Sequence, residues 1–200
     1  MAEAKYSAGL MSQSFWFIEF KKIVKHTNDG KSIDEIRALC LEDNLLGISK
    51  AYRAKRIYGY IINRVRTLDA TLIKLFCDSD LSTQKLINLI TILRTDRLFF
   101  EFVYEVYREK VILGIPYMED SDLGVFFKNK EAQSDDVATW KDTTVKHLKS
   151  NFLNYLADAN LLSECAKKYS ITPPIVDVAL ERYLQAREET TILKAITGVR

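Results

Sequence analysis

The stretch between Asn44 and Leu68 carries Lys50, Arg53, Lys55, Arg56, Arg64 and Arg66 and contains no acid. Projected on a helix of 3.6 residues per turn, Ala51, Ala54, Ile57, Tyr58, Ile61, Ile62, Val65 and Leu68 form an apolar stripe. The opposite side gathers Arg53, Lys55, Arg56, Asn63, Arg64 and Arg66, with Lys50 at its start and Tyr52 and Tyr60 interleaved. Ammonium and guanidinium groups neutralise backbone phosphates and release counterions. Tyrosine and asparagine add hydrogen bonds to phosphate or base edges, and the major groove is wide enough for one such helix. Double-stranded DNA is the expected ligand of this face, although an acidic partner protein, or water alone, also suits such a surface.

A second face of the same kind is expected on residues 143–159. Val145, Leu148, Phe152, Leu153, Tyr155 and Leu156 make its core side, and Thr143, Lys146, His147, Ser150, Asn151 and Asn154 line the other. Short hydrogen-bonding groups with a positive charge suit a helix that reads a groove. Lys167 and Lys168, at the tip of a possible hairpin, would then reach backbone phosphate. An ordinary solvated face fits these residues equally well.

Catalytic or metal chemistry has little to stand on. The two histidines, His26 and His147, have no cysteine or carboxylate at metal-ligand spacing. No nucleophile elbow, glycine-rich phosphate loop or zincin motif occurs, and the 7 glycines are scattered. Asp96, Glu101, Glu105 and Glu109 alternate with Arg97, Arg108 and Lys110, and their spacing predicts ion pairs along one helix edge instead of a metal cage. No cofactor is expected, and no enzymatic activity.

These faces need helices to present them. Apolar residues recur at helical spacing over 14–25, and Asn28-Asp-Gly30 ends that run. Ser32-Ile-Asp-Glu35 is a capping box opening a short helix. A turn through Gly47 leads to Ser49, the expected cap of a long helix to about Leu68, so that the outline is that of a helix-turn-helix unit. Asp69 is expected to cap a further short helix. Residues 82–93 and 95–113 read as helices apolar nearly all round, which belong inside a bundle. Gly114-Ile-Pro116 marks a boundary. Helices near 121–130 and 143–159 follow, with a short one opening at the polar patch 133–136. Residues 164–171 could form a hairpin turning at Lys167-Lys168, and helices near 176–187 and 190–196 close the chain. Helix, helix, helix, hairpin is the order of a winged-helix module. The expected fold is therefore mainly all-α, with an N-terminal helical bundle over 1–115 that contains the helix-turn-helix unit, and a winged-helix-like domain with a short β-hairpin over 116–200.

Composition agrees. Hydrophobic residues make up 48% of the 200 and charged residues 28%, enough for a real core, and only 7 Gly and 3 Pro interrupt helices. With 29 basic against 27 acidic residues the net charge is +2, so a preference for an anionic partner must lie in how charge is distributed. Cys40, Cys77 and Cys165 are far apart and odd in number, as in a reducing compartment. Residues 1–14 lack the apolar core of a secretory leader, and the greasiest run, 98–113, is interrupted by charges. A cytoplasmic protein away from membranes is expected.

Residues 94–110, Arg-Thr-Asp-Arg-Leu-Phe-Phe-Glu-Phe-Val-Tyr-Glu-Val-Tyr-Arg-Glu-Lys, resemble the central signature of the BrxA family, a small component of bacterial BREX phage-defence systems. Tyr6-Ser-Ala-Gly-Leu10, Ser14-Phe-Trp-Phe-Ile-Glu-Phe20, Lys85-Leu-Ile-Asn-Leu89, Ile171-Thr-Pro-Pro-Ile175 and Ala195-Ile-Thr-Gly198 agree in order, so the resemblance spans almost the whole chain. It implies a helical protein of helix-turn-helix and winged-helix character that binds DNA without an activity of its own, beside a defence methyltransferase and ATPases. The alternative is an assembly adaptor whose cationic face docks on an acidic partner within the defence complex.

Overall fold

The computed structural model describes residues 5–165 and 168–198, without the side chain of Cys165. A 3₁₀ turn, Gly9–Ser12, precedes α1 (Phe17–Asn28), α2 (Ile33–Leu41), α3 (Ala51–Val65), α4 (Ala70–Asp78) and α5 (Leu81–Thr95). Then come α6 (Arg97–Phe102), a π turn (Val103–Tyr107), α7 (Arg108–Leu113), β1 (Tyr117–Met118), α8 (Asp120–Gln133), α9 (Asp135–Ala138) and α10 (Asp142–Asp158). The chain ends with β2 (Leu162–Cys165), β3 (Lys168–Ile171), α11 (Val178–Ala186) and α12 (Thr190–Thr197). The protein is mainly helical, as expected, and the expected hairpin is present within a small antiparallel sheet of three strands.

Local chemistry sets several helix starts. Ser32 and Glu35 form the expected capping box: the Glu35 amide donates to Ser32 Oγ at 3.2 Å and the Ser32 amide to Glu35 Oε2 at 2.7 Å. Asp69, Asp80 and Asp96 each accept an amide three residues on. Ser49 does not take the role expected of it. Lys50 occupies the N-cap of α3 without a side-chain bond, and Asn44 in the preceding turn instead accepts the Ile48 amide at 2.7 Å. The turn passes through Gly47 at φ 71°, a left-handed conformation that favours glycine. The helix expected over 95–113 is divided: Asp96, extended at φ −132°, caps α6, and the π turn interrupts it farther on.

α5 is the axis of the fold. Every residue from Leu86 to Leu93 is buried, and it packs on α1, α3, α4, α6 and α10. One apolar core runs from Leu10 in the 3₁₀ turn to Ile196 in α12. The sheet has order β1-β3-β2, with Met118 opposite Tyr169 and Leu162 opposite Ile171. β2 and β3 flank residues 166–167, so Lys167 lies outside the described residues. β1 follows Pro116 and is two residues long, too short for any alternation to announce it.

The acidic ladder of the 94–110 signature does form ion pairs. Arg97 meets Glu101 at 2.6 Å and Arg108 meets Glu109 at 2.8 Å. Lys130 of α8, 3% exposed, reaches Glu101 at 2.5 Å and Glu105 at 2.8 Å, and Tyr6 donates its hydroxyl to Glu101 at 2.8 Å. The cluster thus ties the amino-terminal segment, α6 and α8 together. Among the described residues no group of three or more His, Cys, Asp and Glu is placed to hold a metal, and no helix is long and apolar enough to cross a membrane.

Candidate nucleic-acid interface

α3 is amphipathic because its apolar residues repeat every three or four positions. Ala54, Ile57, Tyr58, Ile61, Ile62 and Val65 enter the core, whereas Ala51, at the first turn, is exposed. Leu68, beyond the helix end, is buried too. Lys50, Tyr52, Arg53, Lys55, Arg56, Asn63 and Arg66 are exposed. Among the described residues Lys50, Arg53, Lys55 and Arg56 have no ion pair, while Arg66 donates to Asn63 Oδ1 at 3.3 Å. Four solvated cations thus share the amino-terminal half of one helix with no carboxylate to offset them, which leaves their charge available to an anion. Gly59 sits at the middle of that open face, and a Cβ added there would meet nothing within 4 Å.

Arg64 must be taken off this face. It is 2% exposed, and its guanidinium donates to the carbonyls of Phe15 and Ser14 and to Gln13 Oε1, each at 3.0 Å. Rotation by 100° per residue places it about 140° around the helix from Gly59, on the buried flank. Its charge made it look like a surface residue. Burial lowers its pKa to about 10, partly opposed by the Tyr155 hydroxyl, and no carboxylate pairs with it. Trp16 holds φ 46° and ψ 45°, a left-handed conformation costing roughly 1–3 kcal/mol for a bulky residue. Its ring is fixed by stacking on Tyr60 at 5.8 Å and by the Arg64 guanidinium at 5.6 Å.

Tyr60 is half-buried, and its hydroxyl lies 3.0 Å from Ser12 Oγ. On α10, Thr143, Lys146, His147, Ser150 and Asn154 are exposed. Asn151 has a different task from the one expected: its amide nitrogen donates to the carbonyls of Leu10, Met11 and Gln13 at 2.8–3.1 Å. Facing the 3₁₀ turn, it is a clamp on backbone and is not free to read a ligand. Lys168 opens β3 with its ammonium 5.6 Å from the Tyr117 ring. Continuous with this face, an open groove between α8 and α10 is floored by Val125, Trp140, Val145 and Leu153, with Lys128, Lys146 and Lys149 on its rim together with Asp120, Glu131 and Asp142. No periodicity in the sequence marks the groove, because its apolar members come from separate elements.

A family model described as BrxA matches residues 4–188. A BREX protein BrxA from Bacillus cereus (strain H3081.97) is 30% identical over 196 residues, which covers 98% of each chain. The fold is similar to the crystal structure of an uncharacterized protein from Magnetospirillum magneticum, with a TM-score of 0.83 over 98% of this chain and 100% of that one. Identity to that protein is 17%, so the likeness is one of fold alone.

Proposed function

We propose that this chain, which belongs to the BrxA family and thereby to the BREX phage-defence components, is a non-catalytic protein that binds double-stranded DNA largely through phosphate. The observation that carries this reading is the exposed group Lys50, Arg53, Lys55 and Arg56 on α3, free of any acidic partner among the described residues. Such cations release counterions when they meet phosphate, which gives affinity without sequence preference. α2, the Gly47 turn and α3 read as a helix-turn-helix unit. The order β1, α8, α9, α10, β2, β3 reads as a winged-helix module, in which Thr143, Lys146 and Ser150 of α10 and Lys168 at the start of β3 supply a second set of contacts.

The test is fluorescence anisotropy of the protein on a random duplex of ~30 base pairs over a salt series. Steep salt dependence, with log K falling by about 0.9 per phosphate contact for each tenfold rise in salt, supports the reading. Reversing Arg53 and Arg56 to Glu should abolish binding while leaving helical content and melting temperature nearly unchanged. A folded reversal variant that binds like wild type would refute it.

The groove between α8 and α10 favours a second reading, that of an adaptor within the defence complex. Val125 at 61% exposure and a half-buried Trp140 suit a protein partner better than a phosphate track. Methyltransferase and ATPase components of the same system are the partners this reading names. A pull-down from cells separates the two: partners retained after nuclease treatment speak for the adaptor.

A further inference from the structure

We infer that the α3 and α10 faces are two ends of a single duplex-binding track, joined by the Gly9–Ser12 turn, so that Met11 and Ser12 lie at its middle. This rests on the DNA-binding reading above. It adds a contact element belonging to neither helix, and it requires the two faces to act together.

The juxtaposition comes from two side chains that hold the turn from opposite directions. Tyr60, on the flank of α3 next to Arg56, places its hydroxyl 3.0 Å from Ser12 Oγ. Asn151, on the flank of α10 next to His147 and Ser150, donates to the Met11 carbonyl at 3.1 Å. Met11 and Ser12 are consecutive, so covalent geometry limits the distance between the Tyr60 hydroxyl and the Asn151 amide to about 12 Å. That is about the width of one major groove, and over it a duplex carries about seven phosphate charges. Tyr155 adds a bond to the Gln13 carbonyl at 3.0 Å, and Leu10 is buried, so the turn is fixed before any ligand arrives. Its outward side is open: Met11 is 40% exposed, and Gly9, Ser12 and Ser14 are exposed.

Charge complementarity names the occupant. Lys50, Arg53, Lys55, Arg56 and Arg66 stand on the α3 side of the turn. On the α10 side the exposed His147 and Ser150 border Asn151, and Lys146 lies about 140° around the helix from Asn151, at the far edge of that face and one turn from Asp142. A polyanion long enough to cover both helices passes over Met11 and Ser12. A ligand short enough for α3 alone does not.

The experiment is duplex binding by the full chain carrying Met11→Glu, Ser12→Glu or Lys146→Glu. Val178→Glu on α11, 58% exposed, serves as the control of equal charge, because α11 packs on α4 and α12. A carboxylate introduced under the duplex repels the phosphate there and offsets about one cation–phosphate contact, each of which contributes roughly 0.9 log units at 0.1 M salt. Met11→Glu and Ser12→Glu should therefore each weaken binding about tenfold at that salt and flatten the salt slope, with far-UV dichroism unchanged and Val178→Glu within about twofold of wild type. If the two turn variants and Lys146→Glu bind like wild type while reversal of Arg53 and Arg56 abolishes binding, the track is overturned and DNA binding through α3 stands. If the turn variants lose no more than Val178→Glu, the effect is bulk charge and the track is again overturned. Absence of binding by wild type would remove the DNA reading first, and the track with it.

Discussion

Arg64 Nη1 donates to the carbonyl oxygen of Phe15 at 3.0 Å, pinning the buried flank of α3 to the segment that opens the first helix. The same carbonyl accepts Asn88 Nδ2 from α5 at 2.9 Å. One backbone oxygen therefore gathers the amino-terminal segment, α3 and the central helix. A positive charge without a carboxylate is tolerated there because three of its donors are satisfied by oxygen, although Arg64 Nε has no partner.

Replacing Arg64 with Met should lower stability by about 2–4 kcal/mol, because the Ser14 carbonyl and Gln13 side chain lose their donor in a dry site. Urea unfolding followed by dichroism measures it. Duplex affinity of the folded variant should stay within about twofold of wild type, since Arg64 faces the core. A stable variant that no longer binds DNA would mean that the guanidinium leaves its pocket for phosphate.

Asp96 should impose a dependence on pH. Burial raises its carboxyl from 3.8 to about 6, against the pull of the Phe99 and Leu98 amides. The native state then holds a proton that the unfolded chain has released, so this contribution is complete below pH 4 and is lost as pH rises through about 6. The difference corresponds to roughly 3 kcal/mol between those limits. Asp96→Asn keeps a good cap and removes the buried charge. It should gain about 1–2 kcal/mol at pH 7 and erase the fall in stability between pH 4 and 6 measured by urea titrations.

Lys130 should be worth more to the fold than its surface counterparts. Burial alone would lower its ammonium, yet hydrogen bonds to Glu101 and Glu105 hold it above its ordinary value. Lys130→Met leaves Glu101 with Arg97 and Tyr6 but without its ammonium partner and should cost about 1–3 kcal/mol. Adding Glu101→Gln should cost less than the sum of the two single changes, because each single change already removes the Lys130–Glu101 pair. Additive losses in thermal melts of the four proteins would show that the pair is not coupled.

The parts of this fold that could be read from sequence are those written in local chemistry. Ser32, Asp69 and the amphipathic stripe of α3 act within four residues of themselves, and the structure places them as expected, apart from the exposed Ala51. Arg64 is not legible as a core residue, because a charged side chain defaults to the surface and only the distant carbonyls of Ser14 and Phe15 explain its burial. The clamp made by Asn151 is hidden likewise: its partners lie about 140 residues away, and no spacing announces them. β1 depends on pairing with β3, and the groove between α8 and α10 on packing alone. Both are properties of tertiary structure that a one-dimensional pattern does not carry.

Gly59 gives the sharpest test of whether α3 is a contact surface, because stability and binding should move in opposite directions. Glycine in a helix interior costs roughly 1 kcal/mol relative to alanine. The φ of Gly59 lies outside the left-handed range and a methyl group would meet no neighbour within 4 Å, so nothing inside the fold requires it. Lys55 and Arg56 precede it by one turn and Asn63 follows by one, which sets it at the centre of the cationic face. A ligand backbone approaching closely there would make use of the missing side chain. Gly59→Ala should therefore raise stability by about 1 kcal/mol, read as a higher urea midpoint, while weakening duplex binding several-fold. A variant that is more stable and binds as tightly as wild type would place the phosphates farther out, on the tips of the Lys and Arg side chains.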